Sequence, residues 1–244
     1  MGPLGGAAIK LGYGAEAAEI TVAREAATLD ALPDRTVVAG RSGADVWYVT
    51  PWLDGPSIWD LFRPVRDGSR DRATPLGGAV ALCRAVAGFH AAGWVHGDLQ
   101  PAHGIHTASG VRLIDFAWSW REGTVPWRNF DGGITHLLAP ELAAWINTGP
   151  QPVKPSPATD VYALAGTLWT CATGRWPLDY EAIGITVKDT SPAELRQAIT
   201  AGIPLTDARP WPRFQDVLAD VLTARASERP TAGKLAECLL EVSS

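Results

Sequence analysis

The chain has 244 residues, of which 46% are apolar and 19% charged, so it suits a globular protein and excludes a disordered one. Its net charge of −5 and scattered basic residues argue against nucleic acid and against an anionic membrane as partners. The three cysteines lie far apart without a C-x-x-C pair, which gives no support for a structural zinc site or a disulfide framework. The start of the chain also lacks the pattern of a secretory signal, so we expect a cytoplasmic protein.

A short strand and a helix are the first predicted elements. Residues 7–10 predict the strand, which ends at Lys10. Apolar residues recur at three- and four-residue intervals over residues 15–32 and predict the helix, which Pro33 ends. Glu25 lies on this helix beside its apolar stripe.

Two further strands are predicted at 35–38 and 45–50, joined by a turn at residues 40–43. After Pro51 leaves the second strand, a short helix is expected at 57–62, because Ser57 is a suitable helix cap. A polar loop then leads to a long, buried helix that opens at Pro75. Trp52 is as well suited to a core position as to a binding site.

The second half of the chain predicts a hairpin followed by mainly helical structure. The hairpin strands are 104–106 and 111–114. Residues 117–139 hold three tryptophans and are long for a connection, so we expect a functional loop, whose Trp side chains suit the core as well as a partner surface. Further helices are predicted at 160–169, 192–200, 214–222 and 231–241.

Two acidic residues stand out between these elements. Asp98 lies in the stretch Trp-Val-His-Gly-Asp-Leu-Gln-Pro-Ala-His of residues 94–103, and Asp115 follows 17 positions later at the end of a strand. A carboxylate in a loop can orient an acceptor hydroxyl, and a second one can hold the metal that bridges nucleotide phosphates. The pair therefore predicts phosphoryl transfer.

The loop resembles the H-x-D-L-x-P-x-N signature of the protein kinase superfamily, and Asp115-Phe116-Ala117 resembles its D-F-G. Three later motifs follow in the family's order and favour its eukaryotic-type Ser/Thr branch: Ala139-Pro140-Glu141, the helix from Asp160 to Trp169, and Arg229-Pro230-Thr231. The resemblance covers residues 7 to about 240. It implies an α+β, two-lobed kinase-like fold with a reduced β-sheet N-lobe, residues 1–54, and a mainly helical C-lobe, residues 55–244.

The resemblance implies a role for each matching residue. Asp98 would orient or deprotonate the acceptor hydroxyl, and Asp115 would bind Mg²⁺ across the phosphates of ATP. Lys10 would hold the phosphates and Glu25 would fix Lys10 by an ion pair. Gln100 stands where the Ser/Thr kinases carry a lysine, so it can donate hydrogen bonds to the transferring phosphate but adds no charge.

The adenine of ATP would be held at the connection between the lobes. By resemblance it pairs with the carbonyl of Pro51 and the N–H of Leu53, with Thr50 guarding the back of the pocket and Ile105 beneath the base. Proline keeps its carbonyl, so this binding mode survives. His96 is expected to pack under Phe116. The motif pair Glu141 and Arg229 is expected to form an ion pair.

The sequence departs from the kinase pattern at several positions, and these departures change what we expect of the phosphate cover and the metal site. Only six residues precede Ala7, which is too few for the two strands that carry the family's Gly-rich phosphate cover. The N-lobe is therefore predicted to be truncated, and either the cover is lost or a partner protein supplies it. His103 replaces the Asn that binds the second metal, and imidazole suits Mn²⁺ or Zn²⁺ better than Mg²⁺, so either one metal is lost or the metal preference is altered. Ile134 stands where these kinases usually have a Thr that contacts the catalytic Asp.

Three functional hypotheses remain. The first is an ATP-dependent phosphotransferase acting on Ser or Thr of a protein or peptide, by analogy one that primes phospho-elimination in modified-peptide biosynthesis. The second is a pseudokinase that binds nucleotide or a partner without transfer. The third is a metal-dependent hydrolase built on His96, Asp98, His103 and Asp115, suggested by five histidines within 47 residues, although it gives no role to the later motifs.

Overall fold

The computed structural model of the chain describes residues 6–14, 22–33, 35–127 and 130–242. Its first sheet has three antiparallel strands in the order β1-β3-β2. These strands are β1 (Ala7–Gly12), β2 (Val38–Ser42) and β3 (Asp45–Pro51). The predicted strand at 7–10 is thus confirmed and extends to Gly12.

The hairpin between β2 and β3 differs from the prediction. Ser42 pairs with Asp45, so the turn consists of the two residues between them, and Gly43 has a φ of +62°. Glycine adopts a positive φ more readily than residues with a side chain, so Gly43 is the glycine that forms the turn. The turn predicted at 40–43 and the strand predicted at 35–38 are therefore wrong in position, because β2 starts at Val38 and continues through Ser42.

One helix accompanies this sheet. Helix α1 (Arg24–Ala31) buries Glu25, Ala26 and Leu29 and ends one residue before the predicted end. Residues 15–21 of the predicted helix lie outside the described residues. The two residues before α1, Val22 and Ala23, are also helical.

The helices that lead into the larger part begin at a capped turn. Ser57 accepts a hydrogen bond from the N–H of Asp60, and the Asp60 side chain reaches back to the N–H of Ser57. This capping box starts α2 (Ile58–Leu61) and confirms the predicted cap. The predicted polar loop is wrong in part, because it contains α3 (Arg63–Arg66). Helix α4 (Ala73–Ala91) begins two residues before Pro75, since the whole first turn tolerates a missing N–H.

The larger part consists of two small sheets and five further helices. Strand β4 (Trp94–Val95) pairs with β7 (Trp120–Arg121), and β5 (Gly104–Thr107) forms the predicted hairpin with β6 (Gly110–Leu113). The helices are α5 (Pro140–Thr148), α6 (Pro157–Thr173), α7 (Pro192–Ala201), α8 (Pro212–Thr223) and α9 (Ala232–Glu241). All four helices predicted after residue 150 are confirmed, and α5 was not predicted. The fold class is α+β, as expected.

Helix α6 forms the centre of the core. Its side chains Tyr162, Leu164, Leu168 and Trp169 are almost completely buried, as expected of a helix that is apolar on all sides. Trp52 does not belong to the core, since 62% of its surface is exposed. Among the described residues, no helix is long and apolar enough to cross a membrane.

Candidate functional site

Lys10 lies between two carboxylates at the junction of the two parts of the molecule. Its Nζ is 2.5 Å from Oε2 of Glu25 and 3.2 Å from Oδ1 of Asp115. Burial alone would lower the pKa of Lys10, but the hydrogen bond and charge of Glu25, with Asp115, raise it above its ordinary value. The lysine is therefore held as a cation in the cleft. The sequence placed these three residues in one site, and the structure brings them together.

Glu25 also fixes the segment that follows Asp115. Its Oε1 accepts a hydrogen bond from the N–H of Phe116 at 3.1 Å, and only 3% of the residue is exposed. Asp115 itself has a φ of +64°, which is rare for a residue with a side chain. The Phe116 ring packs on Phe89 and on the buried ring of His96, with centroids 5.5 and 5.4 Å apart. This packing holds Asp115 in its strained conformation and confirms the expected position of His96.

The loop that carries Asp98 is held by a buried carboxylate of α6. Asp160 Oδ2 accepts the N–H of His96 at 2.7 Å and contacts His90 Nε2 at 2.9 Å, while Oδ1 accepts the N–H of Gly97 at 2.9 Å. Gly97 has a φ of +77°, so a glycine is favoured at this turn. Sequence reasoning gave Asp160 no such role. An acidic residue in an apolar helix was the available signal, because a buried carboxylate requires partners.

Asp98 is almost enclosed, with about one tenth of its side chain exposed. Gln100 Nε2 lies 3.3 and 3.2 Å from its two carboxylate oxygens. Burial raises the pKa of Asp98 to about 6, and Asp115 adds to this effect, while His103 and Gln100 oppose it. Asp98 can thus orient a hydroxyl and accept its proton near neutral pH.

Gly133 covers the Asp98 carboxylate and was missed by the sequence analysis. A Cβ atom at this position would lie 1.6 Å from Asp98 Oδ1, so no residue with a side chain fits without movement. The only available signal was the Asp131-Gly132-Gly133 turn, which predicts a bend but not its target.

His103 stands between the two acidic residues. Its Nδ1 lies 2.8 Å from the main-chain oxygen of Asp98, which can only accept, so Nδ1 carries a hydrogen. Nε2 lies 3.6 Å from Oδ2 of Asp115. His103 thus contacts the Asp98 loop through Nδ1 and faces the Asp115 carboxylate through Nε2.

The hydrolase hypothesis needs more metal ligands than the pair of His103 and Asp115, namely His96 and Asp98 as well. Within the described ranges no group of three or more His, Cys, Asp or Glu residues could hold a metal ion. The ring of His96 is fully buried, its Nε2 is 3.1 Å from the main-chain oxygen of Ile114, and burial lowers its pKa to about 4. His96 is therefore a packing residue, and the geometry gives the hydrolase no support.

A cavity of about 130 Å³ lies beside the connection between the two parts. Thr50, Pro51 and Leu53 line it together with Glu25 and Phe116. Three of the residues expected to surround the adenine thus share one cavity, whereas the phosphate and metal residues Lys10 and Asp115 do not line it. Ile105 does not line it; this residue forms an isolated bridge with Ser57.

The expected pair Glu141 and Arg229 is present. The Arg229 guanidinium donates to both carboxylate oxygens of Glu141, at 2.5 and 2.9 Å. It also lies 4.9 Å from the centroid of the Tyr162 ring, and only 2% of its side chain is exposed. The pair joins the start of α5 to the segment before α9, and Arg229 also donates to the main-chain oxygen of Ala158 on α6.

No family model matches the chain. Among curated proteins, it is 28% identical over 146 residues to a probable serine/threonine-protein kinase, PkwA, of Thermomonospora curvata, covering 57% of this chain and 18% of that one. It is 31% identical over 148 residues to the proto-oncogene serine/threonine-protein kinase mos of Sus scrofa, covering 59% and 40%. It is 27% identical over 175 residues to a probable serine/threonine-protein kinase of Corynebacterium efficiens, covering 65% and 25%. The chain spans less than half of the length of each of these relatives.

Proposed function

The chain belongs to the protein kinase-like superfamily, and from this premise we propose that it transfers the γ-phosphoryl group of ATP to Ser or Thr hydroxyls of a protein or peptide. One observation carries the proposal: Lys10 lies within hydrogen-bonding distance of Glu25 and Asp115, and His103 lies between Asp115 and Asp98. Phosphoryl transfer depends on positioning and charge, which such a set supplies.

Each residue has a part in this proposal. Asp98 orients the acceptor hydroxyl, and Gln100 donates hydrogen bonds on the same side. Lys10 binds the phosphates and is held by Glu25. A divalent cation, held by Asp115 and His103, would neutralise charge on the phosphates. Pro51 and Leu53 bind the adenine through their main chain, beside Thr50, and Ile105 is proposed to lie beneath it although the present cavity does not include it.

Phosphate transfer from radiolabelled ATP to casein tests this function. We expect Lys10→Met to lower the rate about 100-fold or more, because the variant removes the charge that holds the phosphates. Lys234→Met is the matched control, since Lys234 is an exposed lysine on α9. Equal rates in wild type and Lys10→Met would refute the proposal.

The metal preference follows from His103. With imidazole in the donor set, transfer should be faster with Mn²⁺ than with Mg²⁺. His103→Asn replaces the ring by an oxygen ligand and should shift the preference towards Mg²⁺. An unchanged ratio of the two rates would remove His103 from the metal site.

We also propose that a partner covers the small lobe. Gly6 O accepts the N–H of Trp52 at 2.7 Å, and this register directs the main-chain groups of Ala8 and Lys10 towards β3. The main-chain groups of Ala7, Ile9 and Leu11 then face the other edge of β1. Edges of this kind, with exposed apolar side chains such as Ile9 at 66% and Leu11 at 53%, can pair with a strand of another polypeptide.

Calorimetry of the isolated chain with ATP tests the need for a partner. We expect a dissociation constant well above about 1 μM, because β1 is the edge strand of its sheet in the described residues and the proposed partner would have to complete that sheet. Tight binding by the chain alone would show that no further cover is needed.

We propose a narrower class of acceptor by analogy with reduced kinase-like proteins that act in modified-peptide biosynthesis. In this form of the proposal, phosphate on Ser or Thr is later eliminated to give a dehydroamino acid. Mass spectrometry of a candidate precursor peptide, incubated with and without an eliminating partner, distinguishes the phosphorylated product from the dehydrated one.

The enclosed state of Asp98 favours a second candidate function, a nucleotide-binding pseudokinase. Gly133 covers the carboxylate, and Gln100 contacts both of its oxygens. ATP binding without any transfer to casein, with either metal, would support this candidate over the enzyme.

A further inference from the structure

Arg24, the first residue of α1, makes contacts that the proposed reaction does not yet use. Its Nε lies 3.4 Å from the main-chain oxygen of Ala117, and its Nη2 lies 3.2 Å from that of Ser119. The guanidinium carbon also lies 5.3 Å from the centroid of the Trp127 ring. Arg24 therefore joins the first turn of α1 to the segment that follows Asp115.

The contacts of Arg24 complement those of its neighbour Glu25. Glu25 accepts the N–H of Phe116, and Arg24 donates to the carbonyls of Ala117 and Ser119. Arg24 and Glu25 thus bind three main-chain groups of one segment: Glu25 accepts from an N–H group, and Arg24 donates to two carbonyl oxygens. These bonds join the described start of α1 to the segment that follows Asp115.

A guanidinium suits this task better than an ammonium group. Its planar fork can donate in two directions while its face rests on an aromatic ring. Burial lowers the pKa of Arg24, but a guanidinium group is not deprotonated in proteins, so the side chain is a cation. The guanidinium of Arg24 contacts two main-chain oxygens and one indole ring. All three groups belong to the unmodified chain, so the contacts need no phosphate on the segment.

We propose that Arg24 is a positioning residue that clamps α1 to the segment at residues 117–119 and so keeps Glu25 on Lys10. The inference rests on the proposed function. It adds that the chain's own groups assemble the Lys10, Glu25 and Asp115 arrangement, without phosphorylation of the segment.

The test compares Arg24→Met and Arg24→Lys with Arg41→Met, an exposed arginine on β2. The reactivity of Lys10 towards an acetylating reagent, read by mass spectrometry of the full chain without nucleotide, reports on its pairing with Glu25. We expect acetylation to rise about threefold or more in Arg24→Met, because release of α1 opens the pair locally. Arg24→Lys should be intermediate and Arg41→Met unchanged.

The same variants are compared in the transfer assay. Arg24→Met should lower kcat/KM about tenfold, as is typical when a group that orients a metal or substrate ligand is lost. Unchanged acetylation of Lys10 in Arg24→Met, or in Arg24→Lys if the first variant does not fold, would overturn the clamp. If the wild type transfers no phosphate, the proposed function fails, while the acetylation rates still decide whether Arg24 holds the pair.

Discussion

The two sides of the cleft are held by different kinds of interaction. On the C-terminal side, Asp160 binds two main-chain N–H groups and His90, and the Arg229 side chain is 2% exposed beneath Glu141. On the N-terminal side, Lys10 is about one third exposed and its contacts are with Glu25 and Asp115. The buried hydrogen bonds of the C-terminal side are shielded from solvent and salt. The ion pairs of Lys10 at the cleft are screened by solvent and salt.

This difference assigns separate tasks to the two sides. The loop with Asp98 is part of the core, so its geometry should persist in the isolated chain. The position of Lys10 depends on a three-stranded sheet and on α1, so it should respond to ligands, salt and a partner. Changes to the buried bonds that hold the C-terminal side should therefore lower stability, and changes to the ion pairs around Lys10 should mainly alter binding.

Asp160→Asn is expected to have the largest effect on the free energy of unfolding. The variant removes the charge that accepts two N–H groups, in a residue that is 1% exposed, and should lower the free energy of unfolding by about 3 kcal/mol. Urea denaturation measures the loss. Asp189→Asn, in an exposed turn, serves as the control and should change stability by less than about 0.5 kcal/mol. Equal effects of the two changes would mean that Asp160 does not hold the loop.

An acid effect of similar size is expected from His96. Burial lowers its pKa to about 4 in the folded protein, while the unfolded chain titrates at the ordinary value of 6.5. The folded state therefore binds fewer protons, and its stability is complete above pH 6.5 and falls as the pH approaches 4. The difference corresponds to about 3 kcal/mol.

Urea denaturation between pH 7 and pH 4.5 checks the contribution of His96. The wild type should lose more stability over this range than His96→Gln, because the variant has no proton to bind at this site. Parallel curves for the two proteins would assign the acid sensitivity to other groups.

A smaller loss is expected from Glu141→Gln. It leaves the buried guanidinium of Arg229 without its counter-charge, but 38% of the Glu141 side chain is exposed, so solvent moderates the cost to about 2 kcal/mol. Glu237→Gln breaks an exposed pair with Lys234 and should have almost no effect on the unfolding midpoint. A midpoint for Glu141→Gln equal to that of Glu237→Gln would contradict this account.

Ile9→Ser, a change in β1, is expected to have the smallest effect on the free energy of unfolding. Because 66% of this side chain is exposed, the isolated chain should lose less than about 0.5 kcal/mol of stability. Val46→Ala, at a buried position of the same sheet, should cost more than about 1 kcal/mol. A large loss in Ile9→Ser would show that this face is already covered in the lone chain.

Local signals in the sequence predicted some features well. Ser57 was identified as a cap, because capping depends on residues three positions apart. The hairpin turn was misplaced, since Gly40 and Gly43 are both compatible with a turn and only the pairing of Ser42 with Asp45 decides between them. The start of α4 was displaced because proline is tolerated throughout a first turn.

The site was predicted through the order of its motifs, which brought Lys10, Glu25 and Asp115 together. The residues that hold the site in place were not predicted. Gly133 meets Asp98 from 35 positions away, and Asp160 meets His96 from 64 positions away. Neither contact has a local sequence signal, because each arises from packing between separate elements.

The rate of γ-phosphate transfer by Asp98→Asn tests the central claim most directly. The variant keeps the shape of the side chain but removes the carboxylate that orients the acceptor hydroxyl. Compared with wild type in the presence of Mn²⁺ and ATP, it should be slower by about 100-fold or more, with unchanged ATP binding. Transfer at the wild-type rate by Asp98→Asn would contradict the account.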